Sequence, residues 1–151
     1  MAMKRTFAAV AALVAVTAIG APAPVIDARA LKAALEQGTV KVTGLERHLG
    51  PPDVPEGAFA RGCRSWKLTE AQVLTFFARA TAISPEELHT SFPVVPCQFS
   101  GSISIGGAPY TFSINAGHFG FIRGKANQPV ALFGCDEACK ELFRVDLSDG
   151  T

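Results

Sequence analysis

The four cysteines are the residues of this sequence whose chemistry is most clearly defined. Cys63, Cys97, Cys135 and Cys139 allow two disulfides in an oxidising compartment, in any of three pairings. The short spacing within the second pair favours Cys63–Cys97 together with Cys135–Cys139. A redox motif of the thioredoxin kind needs two residues between its cysteines, whereas three separate Cys135 from Cys139. The sequence therefore predicts two structural disulfides.

Signals for metal binding and for nucleophilic catalysis are weaker. The three histidines, His48, His89 and His118, are isolated, whereas zinc fingers place paired histidines about three to five residues apart. Segment 101–106 contains the letters of a serine-hydrolase elbow, but at the wrong spacing and within a predicted strand. No phosphate-binding glycine loop is present in the sequence. We therefore expect no metal, no cofactor and no catalytic centre. The alternative is a hydrolase site assembled from residues far apart in the sequence.

One segment combines polar side chains with glycines. Asn115 and His118 flank Gly117, and Arg123 follows at the end of the next predicted strand. Glycine allows the backbone of a ligand or partner to approach closely, which would expose these side chains to binding. The alternative is a glycine-enabled turn with an exposed histidine. Asn115, His118 and Arg123 are the predicted binding residues.

Helices are indicated by their N-terminal signals. Thr69 with Gln72, and Ser84 with Glu87, have the spacing of capping boxes, in which each side chain bonds the other residue's backbone amide. Asp27 has the character of an N-cap for a further short helix. These signals predict three helices, of which the one after Thr69 has the clearest apolar face.

From Cys97 onward the apolar residues recur with a period of two, which is typical of strands. The predicted inward side chains are Cys97, Phe99, Ile103, Ile105, Tyr110, Phe112, Ile114, Phe119 and Phe121. Serines and threonines occupy the alternate positions, and an earlier strand is predicted over 39–45. The pattern indicates an α+β fold: an antiparallel meander of four or five strands, packed on one face by short helices and linked by two disulfides. Trp66 is predicted to be a core residue rather than an interface anchor.

The N-terminus has the pattern of a signal peptide. Lys4 and Arg5 precede an apolar run over 7–19, and small residues follow. We predict a signal peptide over 1–20, with cleavage after Gly20 or as late as Ala30, and a single domain over 21–151. No later segment is long and apolar enough for a transmembrane helix. The chain is therefore predicted to be periplasmic or secreted.

Charge excludes some classes of partner. The formal net charge is +1 over 151 residues, and loss of the two basic residues of the leader makes the predicted mature chain close to −1. A chain so evenly balanced has no electrostatic basis for binding nucleic acid or an anionic membrane surface. A protein partner is the expectation.

Short pieces of the sequence, in a fixed order, carry a resemblance to a known group. They are Leu68-Thr69 before Phe76-Phe77, Val95-Pro96-Cys97, Ile114-Asn115-Ala116-Gly117 with Gly120, and Cys135 with Cys139. In these pieces the chain resembles a family of small exported bacterial proteins with no assigned activity. Members typically have an aromatic residue near the Pro-Cys step, where this chain has Val95 and a displaced Phe92. In its general type it is also similar to periplasmic immunity proteins.

These observations together predict an exported, periplasmic binding module, such as an immunity or inhibitor protein that neutralises a toxin or an enzyme. Two alternatives stay open. One is a small secreted hydrolase with dispersed site residues, and the other is a structural factor of the cell envelope.

Overall fold

Six strands form one antiparallel sheet in the order β1-β3-β4-β5-β6-β2. The computed structural model describes residues 26–49, 58–124 and 131–144. The strands are β1 (Val40–Leu49), β2 (Thr81–Ala82), β3 (Cys97–Ile105), β4 (Ala108–Asn115), β5 (Phe119–Arg123) and β6 (Ala131–Gly134). The predicted α+β fold is confirmed, with one strand more than expected, because the two-residue strand β2 pairs with β6 at the sheet edge.

The helices are α1 (Ala28–Glu36), α2 (Ala58–Ser65), α3 (Glu70–Arg79), α4 (Pro85–Ser91) and a 3-10 helix over Glu137–Phe143. Helices α1, α3 and α4 begin where the capping signals place them, whereas α2 was not predicted from a capping signal. Both predicted capping boxes are formed, at Thr69 and at Ser84. The hydrogen bonds from Ser84 lower the pKa of the Glu87 carboxyl. Asp27 accepts a hydrogen bond from the amide of Ala30 at 2.7 Å, so α1 has its predicted N-cap. None of these described helices is long and apolar enough to cross a membrane.

The predicted signal peptide falls largely outside this description, because residues 1–25 are not among the described residues. The latest of its predicted cleavage sites, after Ala30, lies within the first turn of α1. Cleavage there would remove Asp27 and with it the cap of that helix.

The core lies between one face of the sheet and helices α1 and α3. Phe77 of α3 contacts the rings of Phe112 and Phe133 from two strands, with centroids 6.1 and 5.5 Å apart. Trp66 is buried, as predicted for a core residue, and its indole nitrogen donates a hydrogen bond to the Leu142 carbonyl at 2.9 Å. The 3-10 helix is thereby joined to the segment that precedes α3.

Both disulfides have the predicted pairing. Cys63 of α2 is bonded to Cys97 at the start of β3, and Cys135 is bonded to Cys139 of the 3-10 helix. Each pair has its Cα atoms 5.5 Å apart, within the usual range for disulfides. The first disulfide fixes α2 to the sheet, and the second closes the turn that follows β6.

The orientation predicted for β5 is wrong. Gly120 and Ile122 face the core, and Phe119 and Phe121 point to the opposite face. The register pairs Gly120 with Ile114, and a Cβ at Gly120 would lie only 2.9 Å from the ring of Phe76. A one-residue shift reverses every side chain of a strand, and the length of the turn after β4 sets that shift here.

Phe119 is nevertheless buried, because the chain between α4 and β3 crosses the far face of the sheet at this end. Phe92 packs on Phe119, with ring centroids 6.5 Å apart, and lies against Gly134 of β6. A larger residue than glycine at position 134 would collide with the Phe92 ring. Segment 92–96, called the crossing segment below, therefore covers one end of the face that the helices leave uncovered.

Candidate functional site

Asn115, the first of the predicted binding residues, holds the crossing segment. Its side chain is buried, and its Nδ2 donates to the Val95 carbonyl at 2.7 Å. Its Oδ1 accepts from the amides of Val95 at 3.2 Å and of Gly117 at 2.9 Å. The side chain of Asn115 is therefore engaged at both its donor and its acceptor end by the backbone of its own chain.

His118, the second, lies in the turn between β4 and β5 with a φ of 68°, in the left-handed region. Its ring stacks on that of Phe143 with centroids 4.2 Å apart, and its Nδ1 lies 3.5 Å from the carboxylate of Asp136. The side chain is 30% exposed. His118 therefore packs toward the side of the sheet that carries the helices.

Arg123, the third, is exposed at the far end of β5. Its guanidinium lies 5.6 Å from the centroid of the Phe121 ring, at the distance of a cation–π contact. Arg123 is four residues beyond Phe119, the partner of Asn115 in the sheet register, which is about 13 Å along a strand. Asn115 and His118 share one turn, with the His118 amide donating to the Asn115 carbonyl at 3.1 Å, whereas Arg123 lies apart from them. The role of the three residues in binding stays a prediction.

A different set of residues is brought together on the sheet face that points away from α1 and α3. We call this set the polar face. According to the sheet register, the side chains of the polar face are Glu46, His48, Gln98, Ser100, Ser102, Thr111, Ser113, Phe121 and Arg123. Glu46, His48, Ser102, Thr111 and Arg123 are exposed, and Ser113 is buried. The polar face spans four strands, a width of about 14 Å at the usual spacing of strands.

A bulge in β1 turns the side chains of Glu46 and His48 to the polar face. The register with β3 shifts between Val42 and Gly44, so one residue is inserted and the side chains after it change face. Gly101 of β3 lies so close to the Gly44 carbonyl that a Cβ at position 101 would overlap it. As a result Glu46 and His48 point to the polar face.

Hydrogen bonds between strands order the polar face. His48 Nε2 and Ser100 Oγ are 2.6 Å apart, which joins β1 to β3. Ser113 Oγ of β4 donates to Gln98 Oε1 of β3 at 3.3 Å. A histidine within hydrogen-bond reach of a serine hydroxyl is the pairing that serine nucleophiles use.

The sequence prediction missed this contact. It ended the first strand at Leu45, whereas β1 continues to Leu49, and it treated His48 as isolated. Glu46, Arg47 and His48 are all polar, so no alternation of apolar side chains indicated that the strand continues. The bulge did have a signal, because an isolated glycine within a strand, here Gly44, often marks a bulge.

Other kinds of site have less support. In the part of the chain that the structure describes, no group of three or more histidine, cysteine or acidic side chains is arranged to hold a metal ion. An open cavity of about 410 Å³ lies between α1 and α3, bordered by Leu35, Val40 and Leu74. It lies on the helical side of the sheet, away from the polar face.

Comparison with family models, with curated proteins and with solved structures finds no match to this chain. The resemblance to small exported bacterial proteins stays a prediction. Two of its pieces have structural roles here. Asn115 anchors the crossing segment, and the Pro96-Cys97 step leads that segment into β3 and the disulfide with Cys63.

Proposed function

We propose that this chain is an exported binding module that contacts another protein through its polar face. The observation that carries the proposal is the stack of Arg123 on Phe121 at the edge of an exposed, strand-supported surface. Arginine and aromatic side chains are the residues that most often dominate protein–protein binding energy. Side chains fixed on a sheet also lose little freedom on binding.

The shape of the polar face favours a protein over a small ligand. Its exposed side chains stand on four neighbouring strands, whereas small molecules are usually held in concave pockets. Its charges are mixed, with Glu46 and Arg123 on different strands, which suits a partner surface that carries both signs. This role requires no catalytic centre. A toxin or an enzyme that the module neutralises in the periplasm is the partner we propose.

Export is supported by the two disulfides, which persist in oxidising compartments. We expect N-terminal sequencing of protein from the native host to begin at Ala21, because the small residues there follow the apolar run. A start at Pro24 or Leu31 would move the cleavage site but keep export. Recovery of an intact Met1 from a soluble cytoplasmic pool would refute export.

Replacement of Arg123 by alanine should weaken partner capture about tenfold, as expected for an arginine of moderate importance in an interface. Arg29, exposed on α1 on the other side of the molecule, provides a matched control, and Arg29→Ala should leave capture unchanged. The partner would be isolated from periplasmic extract with the wild-type chain and identified by mass spectrometry. Its affinity for each purified variant would then be measured by calorimetry.

A third variant, Arg123→Lys, keeps the charge and removes the planar group that stacks on Phe121. If stacking matters, its affinity should fall close to that of Arg123→Ala. Equal affinity of the wild type, Arg123→Ala and Arg29→Ala would show that the polar face is not the contact surface.

A further inference from the structure

His48 and Ser100 form a close pair on the polar face, and the binding role does not require their chemistry. The two side chains are 52 positions apart in sequence, yet Nε2 and Oγ are 2.6 Å apart. His48 is exposed and Ser100 is half-buried, so a small reagent from solution can reach the serine oxygen. Neither side chain is needed to complete the core.

The strands themselves fix the pair. The register sets Ser100 opposite Glu46 and His48 opposite Gln98, so the histidine reaches diagonally to the serine on the neighbouring strand. The bulge at Gly44 is what turns His48 toward this face. Both residues therefore stand on paired strands, which hold a geometry better than loops do.

We propose that Ser100 is a nucleophile for activated esters and that His48 is its general base. The neutral imidazole accepts the Oγ proton at Nε2 while Oγ forms a bond to the ester carbonyl carbon. The bond from that carbon to the leaving oxygen breaks, and the proton passes from Nε2 to the leaving group. Water then attacks the acyl-serine with the same assistance, which releases the carboxylic acid and restores the Ser100 hydroxyl.

The chemistry of the pair defines the substrate class. In the described part of the chain, His48 forms a hydrogen bond with Ser100 through Nε2, so a nucleophile and a base stand together. Such a pair suits aryl esters, whose leaving group departs readily, better than amides, whose leaving group must be protonated. The inference is independent of the proposed binding role, because it concerns a small ester and no partner protein.

The test is acetylation of the full chain by p-nitrophenyl acetate, followed by peptide mapping and by release of p-nitrophenolate. We expect one acetyl group to appear first on the peptide that contains Ser100. His48→Ala and His48→Gln should each slow acetylation of Ser100 at least about tenfold, since a general base usually contributes about 100-fold or more. The glutamine variant keeps a hydrogen bond to Ser100 but cannot take up its proton, so it separates base catalysis from simple positioning.

Two matched controls lie on α4, where His89 and Ser91 are both exposed. His89→Ala and Ser91→Ala should acetylate Ser100 at the wild-type rate, and Ser100→Ala should lose the fast adduct. Circular dichroism melting of each variant checks that the fold is retained. Equal Ser100 acetylation in the wild type and His48→Gln would overturn the proposal, and so would acetylation of other serines as fast as Ser100. Normal acetylation of Ser100 together with no partner captured by the wild-type chain would contradict the binding role alone.

Discussion

Replacement of both Cys63 and Cys97 by alanine should lower the free energy of unfolding by about 4 kcal/mol, from the loss of loop-closure entropy in the unfolded chain. These cysteines are 34 residues apart in sequence, whereas Cys135 and Cys139 are 4 apart. The same loop-closure relation gives a loss of about 2 kcal/mol for the shorter loop. The double variant of Cys135 and Cys139 is therefore a matched control that removes a disulfide but constrains a much smaller loop.

Urea titration of the oxidised wild type and of both double variants would measure the difference. Thiol titration of the unfolded, unreduced wild type should read near zero, because the structure contains no free cysteine among the residues it describes. Reduction of the wild type should bring its stability close to that of a variant without either disulfide. If the two double variants lost equal stability, the difference in loop length would not be the cause.

The elements with local signals were predictable from the sequence. Thr69 and Ser84 each begin a helix because their side chains bond backbone amides three residues ahead, a contact that depends only on the nearby sequence. The disulfide of Cys135 and Cys139 is local in the same sense. Alternation of apolar side chains located β3 and β4, because one face of each is buried.

Features that depend on register were not predictable. The faces of β5 were reversed because alternation along Phe119, Gly120 and Phe121 cannot show which side α3 will approach. The aromatic residues looked like core residues, yet glycine is what fits beneath the Phe76 ring. Large apolar side chains on the far face are tolerated here because Phe92 covers the first of them.

The candidate site could not be predicted from the sequence for the same reason. The contact between His48 and Ser100 requires a bulge, a strand longer than predicted and a pairing across 52 residues. Of these, only the bulge has a local signal, the glycine at position 44. Of the predicted binding residues, Arg123 lies on the polar face, whereas Asn115 is occupied by its own backbone and His118 stacks on Phe143.

Asn115→Ala should lower the free energy of unfolding by about 3 kcal/mol, since a buried backbone group left without a partner costs about 1–3 kcal/mol. Three hydrogen bonds are lost, to the carbonyl and amide of Val95 and to the amide of Gly117. Gly117 is buried, so water cannot replace its partner without a change in the turn. Thr111→Ala, at an exposed position of the same strand, should change stability by less than about 0.5 kcal/mol.

Chemical denaturation measures the loss, and hydrogen exchange locates it. In Asn115→Ala the Gly117 amide should lose more protection than the fall in global stability explains. Amides in the middle of β3 should lose only the protection that this global fall accounts for. Asn115→Asp retains the two accepted bonds but sets a carboxylate oxygen against the Val95 carbonyl, so its stability should be intermediate. The experiment also separates two roles for this residue. If Asn115 serves a partner rather than the crossing segment, the alanine variant will keep wild-type stability and lose only partner capture.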